Sequence, residues 1–454
     1  MDSKSFATER VSRILLRLAP PVMLAQLIQA LYNIVDSFFV GRYAGEGLTA
    51  LSIVYPLQLL MIALAVGTGV GINTSVAHHF GAGRRDMGEQ AAGMSLPLEL
   101  AMCVVFAAAT WFLMPAYARM STQSEAVIHE VVVYGRIVCV GSIGLFAESG
   151  WTKVLQANGN MKTPMLAQIA GAVTNIVLDP LLIFGLLGLP KMGIAGAAAA
   201  TVAGQIVAAL IVLRGGWRPV PPPASWPGHI RNIYRLGVPN ILMQSAYTFY
   251  ILGLNLILAG FSDQAVTALG LYYKWQTFFF IPLDALQTCM VPIVGFNYAA
   301  GALERCRKTL RVSLLYGLAL MLIGVICFEV IPGPMLRVFT DDARVIAIGT
   351  YGFRWIGPSF LAMVTSLLFP VFFQAVGYAL KSSILTVVRT VVLFVPLGWA
   401  FSRLGLAWFW LTFPITELLT TGVGALFYRQ FLKKETARAS ALTTKGADKQ
   451  PAQR

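Results

Sequence analysis

Charge is what this chain has least of. Only 12% of its 454 residues are Asp, Glu, Lys or Arg, while 57% are hydrophobic; a soluble globular domain carries about 25% charged residues. That scarcity excludes an ordinary water-soluble fold. Histidine is rarer still: His78, His79, His129 and His229 fall in or near expected loops with no HExxH or other ligand spacing, which removes support for a metal enzyme. The five cysteines (Cys103, Cys139, Cys289, Cys306, Cys327) show neither CxxC spacing nor paired extracellular positions, so they read as packing residues without a disulfide framework. No GxxxxGK[ST] loop is present, so no cofactor and no nucleotide energy source is expected. Gly67-Thr68-Gly69-Val70-Gly71 lacks the strand and dinucleotide unit that would make it a phosphate loop, and it reads as close helix packing.

What is abundant is long apolar sequence. Twelve runs of about 20 residues, the length that spans a bilayer, lie between Ile14 and Tyr428. Each is expected to be a helix, because a chain in lipid must satisfy its backbone within the segment. The fold class is therefore an all-α integral membrane protein with twelve transmembrane helices. The net charge of +14 sits between these runs and at the ends, the pattern of contact with anionic membrane lipid rather than nucleic acid. Alternate connections carry most of the Lys and Arg, Lys381 and Arg389 counted among them, which places both termini in the cytoplasm. The charged segment Lys4 to Arg17 leads into a run longer than a signal h-region and without an A-x-A cleavage site, so it is expected to remain as the first span.

A repeat then organises the chain. Adding 218 carries Arg17, Leu18 and Pro21 to Arg235, Leu236 and Pro239; Tyr55 and Gln58 to Tyr273 and Gln276; Ala82-Gly83 to Ala300-Gly301; and Gln156, Ala157 and Gly159 to Gln374, Ala375 and Gly377. Six spans per half give both halves the same orientation, related by an axis along the membrane normal. The expected division is an N-terminal six-helix lobe with the cation site over 1–213, a proline-rich cytoplasmic linker over 214–235, a C-terminal six-helix lobe over 236–432 and a disordered basic tail over 433–454. Two like lobes around a cleft suit an alternating-access carrier.

Polar residues inside apolar runs point to function, because an intramembrane acid costs about 2.5–3.5 kcal/mol on insertion scales. In the first span Gln26, Gln29, Asn33 and Asp36 follow one helix face. Asn175 and Asp179 are four apart and share a face. Asp36, Asn175, Asp179 and Thr201 lie at compatible depths on the outer halves of their helices, so they are expected to converge on one site for H+ or Na+. The second half lacks that site: Asp36 maps to Leu254 and Asp179 to Leu397. It offers Gln244, Tyr247, Tyr250, Tyr272, Tyr273 and Gln276 instead, a candidate substrate surface with Gln29, Asn33, Lys274 and Asp284. Lys274 and Asp284, ten residues apart, point away from one another on a helix. Glu148, Glu99, Glu329 and Glu417 read as structural acids, with Glu148 the strongest functional candidate among them. Arg136 and Arg354, repeat equivalents near the outer ends of spans four and ten, are expected to snorkel or to brace the bundle.

Taken together, the Leu15 to Pro21 opening with Asp36, the Phe80-Gly81-Ala82-Gly83 loop and its echo Asn297 to Gly301, Gln156 to Asn160, and Asn175 to Pro180 resemble the multidrug and toxic compound extrusion (MATE) transporters, most nearly their DinF-like branch. The resemblance spans about Val11 to Lys433. It implies two six-helix lobes forming a V, an N-lobe cation site at Asp36, Asn175, Asp179 and Thr201, and a first span that bends at Pro20-Pro21. The branch with acids in spans seven and ten is not matched, because Met243 to Gly260 and Tyr351 to Val376 hold no Asp or Glu. The implied activity is antiport of amphipathic, often cationic drug-like compounds across a bacterial or archaeal inner membrane, with no enzyme activity and no obligatory protein partner. The rival readings are a lipid-linked precursor flippase, which would need a cationic cavity, and an intramembrane enzyme using the Asp pair.

Overall fold

A computed structural model describes residues 5–43, 45–122 and 124–447, excluding the side chains of 33–38, 41–48 and 438–447. Among the described residues eleven helices are long and apolar enough to cross a membrane, and a pair bent by 57° makes twelve. In chain order they are α1 (Val11–Tyr43), α2 (Gly45–Gly81), α3 (Ser95–Ser121), α4 (Glu125–Ala157, interrupted between Val140 and Ile143), α5 (Lys162–Phe184) and α6 (Ile194–Gly216). The second six are α7 (Trp226–Ala259), α8 (Asp263–Ala299), α9 (Leu303–Val330), α10 (Ala343–Ile356 with Ser359–Ala375), α11 (Ala379–Ser402) and α12 (Thr412–Ala447). No strand occurs among the described residues.

The repeat is visible in the backbone. Gly83 and Gly301, 218 apart, turn out of α2 and α8 with φ of 73° and 76°, and Gly159 and Gly377 do the same after α4 and α10 with 77° and 82°. Glycine is required there because the left-handed region is costly for a residue with a Cβ. The accompanying hydrogen bonds also match: Asn160 N–H to Leu155 O at 2.9 Å has its copy in Tyr378 N–H to Phe373 O at 2.8 Å.

Two expected boundaries are corrected. The linker is only 217–225, because α6 continues to Gly216 and α7 begins at Trp226; Pro221 to Pro223 confine the irregular backbone to that short stretch. From 433 to 447 the described chain is helical rather than irregular: α12 continues to Ala447, across a segment with no proline to stop it, and the rest of the expected tail lies outside the described residues.

The lobes meet at the end of the bundle that carries both termini. There α2 lies against α7 so closely that a Cβ on Gly71 would be 2.3 Å from Ile233 O, and one on Gly237 would be 2.6 Å from Gly67 O. Asn232 Nδ2 donates to Ser75 Oγ at 2.9 Å, and His78 Nε2 lies 2.5 Å from Ala375 O. The first residues of the chain seal the same end, where Arg305 donates to Phe6 O and Glu9 O at 2.6 and 2.7 Å. Toward the opposite face the halves enclose cavities, and lipid-length apolar rows such as Val104, Phe112 and Leu113 remain exposed on the outside. The five cysteines are all free, and four are buried.

Candidate functional site

The N-lobe site is built by a close helix crossing. Gly171 on α5 and Gly204 on α6 face each other so tightly that a Cβ on either would lie 2.7 or 2.6 Å from the other's carbonyl oxygen. Small residues allow this approach, and it brings Asn175, one turn beyond Gly171, beside Thr201. Asn175 is 2% exposed, Asp179 0% and Thr201 6%. In the amide orientation that satisfies both its ends, Asn175 donates to Asp179 Oδ2 at 3.2 Å and accepts from the Thr201 backbone N–H at 3.1 Å. Three of the four expected cation-site residues are therefore together. Asp36 lies on α1, but its side chain, like that of Asn33, is outside the described residues.

Asn175 and Thr201 line a cavity of about 390 Å³ within the N lobe, shared with Gln29, Tyr55, Glu148 and Gln168. A second space of about 330 Å³ lies between the lobes and includes Gln26, Glu148, Lys153, Gln244 and Asp284. A third, about 420 Å³, reaches the C lobe past Gln29, Tyr247, Gln276, Phe280, Asp284 and Arg389. Gln168 borders all three, so they are compartments of one cleft. This residue was missed, although it stands seven before Asn175 on the same face of α5.

Of the expected substrate surface, Gln29, Tyr247, Gln276 and Asp284 line the cleft. Tyr250, Tyr273 and Lys274 do not line these cavities. Tyr250 is buried and stacked on Phe394 at 4.6 Å, Tyr273 packs against Tyr250 and Tyr272, and Lys274 extends over the Phe339 ring. Tyrosine carries a large apolar body, and here the C-lobe core takes most of it. Asp284 accepts from Gln287 Nε2 at 3.1 Å. Pro20 and Pro21 sit inside α1, which passes through both. Arg136 braces α4 as expected, donating to Trp111 O and lying 4.5 Å from that ring.

Arg389 is a correction. Instead of capping a span in the cytoplasm it is 6% exposed, on a π-helical segment of α11 (Val388–Phe394), and forms an ion pair with the fully buried Glu417 of α12 at 2.7 Å. Ser366 also hydrogen-bonds Glu417. Arg389 is the repeat counterpart of Gly171, and the glycine contact has no copy in the C lobe: Gly422, the counterpart of Gly204, has open space where a Cβ would stand. The C lobe thus carries an internally neutral pair, while the counterparts of Asn175 and Asp179 are Leu393 and Leu397.

Comparison with known proteins agrees with this architecture. The chain is 23% identical over 444 residues, 94% of its own length and 96% of the relative's, to the FAD transporter of Shewanella oneidensis. It is 25% identical over 364 residues, 76% of each chain, to the probable multidrug resistance protein NorM of Thermotoga maritima. Among solved structures it superposes with a TM-score of 0.89, at 22% identity and covering 95% of this chain and 98% of the other, on an outward-facing conformation of a multidrug resistance MATE family transporter of the MOP superfamily. The MatE family profile matches twice, over residues 21–181 and 239–400, one match in each half of the repeat. This multi-pass membrane protein belongs to the MATE family of transporters.

Proposed function

We propose that the protein is a secondary antiporter that exports amphipathic, cationic organic compounds in exchange for H+ or Na+. The observation that carries this is the buried Asn175, Asp179 and Thr201 constellation, of which Asn175 and Thr201 line the N-lobe cavity and Asp179 lies behind them, bonded to Asn175. Asp179 supplies charge, and Asn175 and Thr201 supply neutral oxygens of the kind a hard cation takes; Asp36 is assigned to the same site from the sequence. Two carboxylates at short range disfavour double ionisation, so one proton or one Na+ satisfies the pair. Neutralising the site lets α1 bend at Pro20-Pro21, which shrinks the N-lobe cavity and releases substrate. We place both termini in the cytoplasm of a bacterial or archaeal cell, so the structure is open to the outside. A membrane potential of 100 mV supplies about 2.3 kcal/mol per net charge moved, so a one-for-one exchange of monovalent cations is driven by the concentration gradient of the ion, and the potential adds to it only when more ions enter than cationic charges leave.

Substrate preference follows the charges of the cleft. Asp284 and Glu148 line it, Arg389 is neutralised by Glu417, and Lys153 is the remaining base among the described lining residues. This balance favours cations over the pyrophosphate of a lipid-linked precursor, and it also disfavours an anion such as a flavin nucleotide. The test is uptake of a fluorescent organic cation into proteoliposomes under an imposed pH or Na+ gradient. Wild type is expected to transport, and Asp36→Asn and Asp179→Asn to lose gradient-driven transport. Unchanged transport in both variants would sink the coupling site, and a response to one gradient alone identifies the ion.

A further inference from the structure

The wall between the N-lobe cavity and the interlobe space contains two acids, Glu148 and Glu99, to which the coupling site at Asp179 assigns no part in moving the ion. Glu148, on α4, lines both cavities, and its Oε1 accepts from the Thr152 hydroxyl at 2.7 Å. Behind it Glu99, on α3, is 0% exposed, and neither of its carboxyl oxygens has a hydrogen-bond partner. The two helices touch there: a Cβ on Gly150 would lie 2.8 Å from Glu99 Cγ. Buried polar groups in native proteins are normally paired, so an unpaired carboxyl points to a particular use, and acids inside a membrane domain mark proton and ion paths.

The surrounding polar atoms point the same way. Ser149 Oγ and Asn73 Oδ1, on residues 5% and 2% exposed, also have no partner, and both residues line the interlobe cavity beside Glu148. Unpaired polar atoms on residues beside a cavity are suited to bind water that enters it, the medium a proton needs to reach a carboxylate. The charged and titratable groups facing this region are Lys153 on α4, whose Nζ donates to Gln156 Oε1 at 3.1 Å, Cys103 on α3, Tyr55 on α2, Tyr234 on α7, and Asp284 and Cys289 on α8. The repeat isolates the feature. Glu148 corresponds to Ser366, and Glu99 to Gly317; in the C lobe Ser366 serves Glu417, whose charge Arg389 already balances.

We propose that Glu148, with Glu99 behind it, is a second proton-binding site of the N lobe and carries protons between the N-lobe cavity and the interlobe space. The Glu148 carboxylate takes H+ from water on the Asp179 side, becomes a carboxylic acid, and returns H+ to water on the Lys153 side, where the ammonium draws it back to the carboxylate. The inference rests on reading the N lobe as ion-coupled, so its test includes a readout independent of transport. Infrared difference spectra of the purified protein as pH is varied are expected to contain a carboxylic-acid C=O band that disappears in Glu148→Gln and changes in position in Glu99→Gln. In proteoliposomes Glu148→Gln is expected to lose pH-driven uptake of the organic cation while keeping the thermal unfolding midpoint of wild type, which shows that the variant is folded. Identical infrared bands in wild type and Glu148→Gln, or unchanged pH-driven uptake, would overturn the site. If wild type itself shows no gradient-driven transport, the antiport reading fails, and the infrared titration still decides whether Glu148 binds the proton.

Discussion

Glu417 and Arg389 are buried together in the C lobe, and removing one leaves the other's charge inside the protein. Breaking a buried pair from one side costs about 3–5 kcal/mol, whereas replacing both partners by apolar residues is often neutral. Glu417→Gln is therefore expected to lower the thermal unfolding midpoint in detergent, with Arg389→Met and Glu417→Met combined recovering most of the loss. A midpoint unchanged in Glu417→Gln would mean that the pair is not holding α11 to α12. The sequence was a partial guide at this scale. Asn175, Asp179 and Thr201 were legible because an acid deep in an apolar run has to be held for a reason, and because helical spacing and depth grouped them before any contact was known. Arg389 was not legible, because a base a few residues into a span reads as a loop charge unless its partner is known, and Glu417 lies 28 residues away on another helix.

Between α2 and its C-lobe neighbours α7 and α8 the fold depends on absent side chains. A Cβ on Gly81 would be 2.0 Å from Phe296 O, as tight as the Gly71 to Ile233 contact, and a backbone oxygen does not yield as a side-chain tip does. Overpacking of this kind costs about 1–3 kcal/mol. If the helices part at this end during transport, the cost falls on the present state alone, so Gly71→Ala is expected to shift the population about fivefold or more toward the state open at the terminal end. Electron-electron distances between spin labels at that end of α2 and α7 check it: a longer-distance population should grow, and an unaltered distribution would show that the glycine contact does not select the state. Helix existence and count were readable from apolar length alone. Their ends were not: α7 begins ten residues before the expected Leu236 because Trp226 to Arg235 are too polar to register as membrane sequence while still forming helix. The break in α10 likewise needs Gly357 and Pro358 to be seen against a packed neighbour.

For the whole molecule, the 218-residue repeat predicted two lobes, and their mutual packing explains which end is shut. The contacts at that end involve both lobes: Asn232 with Ser75, His78 with the Ala375 carbonyl, and Arg305 with the carbonyls of the first residues. None of these could be assigned from sequence, because each joins residues more than 150 positions apart. A carrier that alternates access must break them in every cycle, whereas a pore opening at the far side need not. Cysteines at Ser75 and Asn232, introduced after the five native cysteines are replaced and transport is shown to persist, are expected to be bridged by a short bismaleimide. Bridging should abolish net transport in proportion to the cross-linked fraction. Labelling either position singly should leave transport intact, since it joins nothing. Continued transport by fully bridged protein would mean that the terminal end stays closed throughout, and the two-lobe rocking motion would have to be abandoned even if the ion site at Asp179 survived its own test.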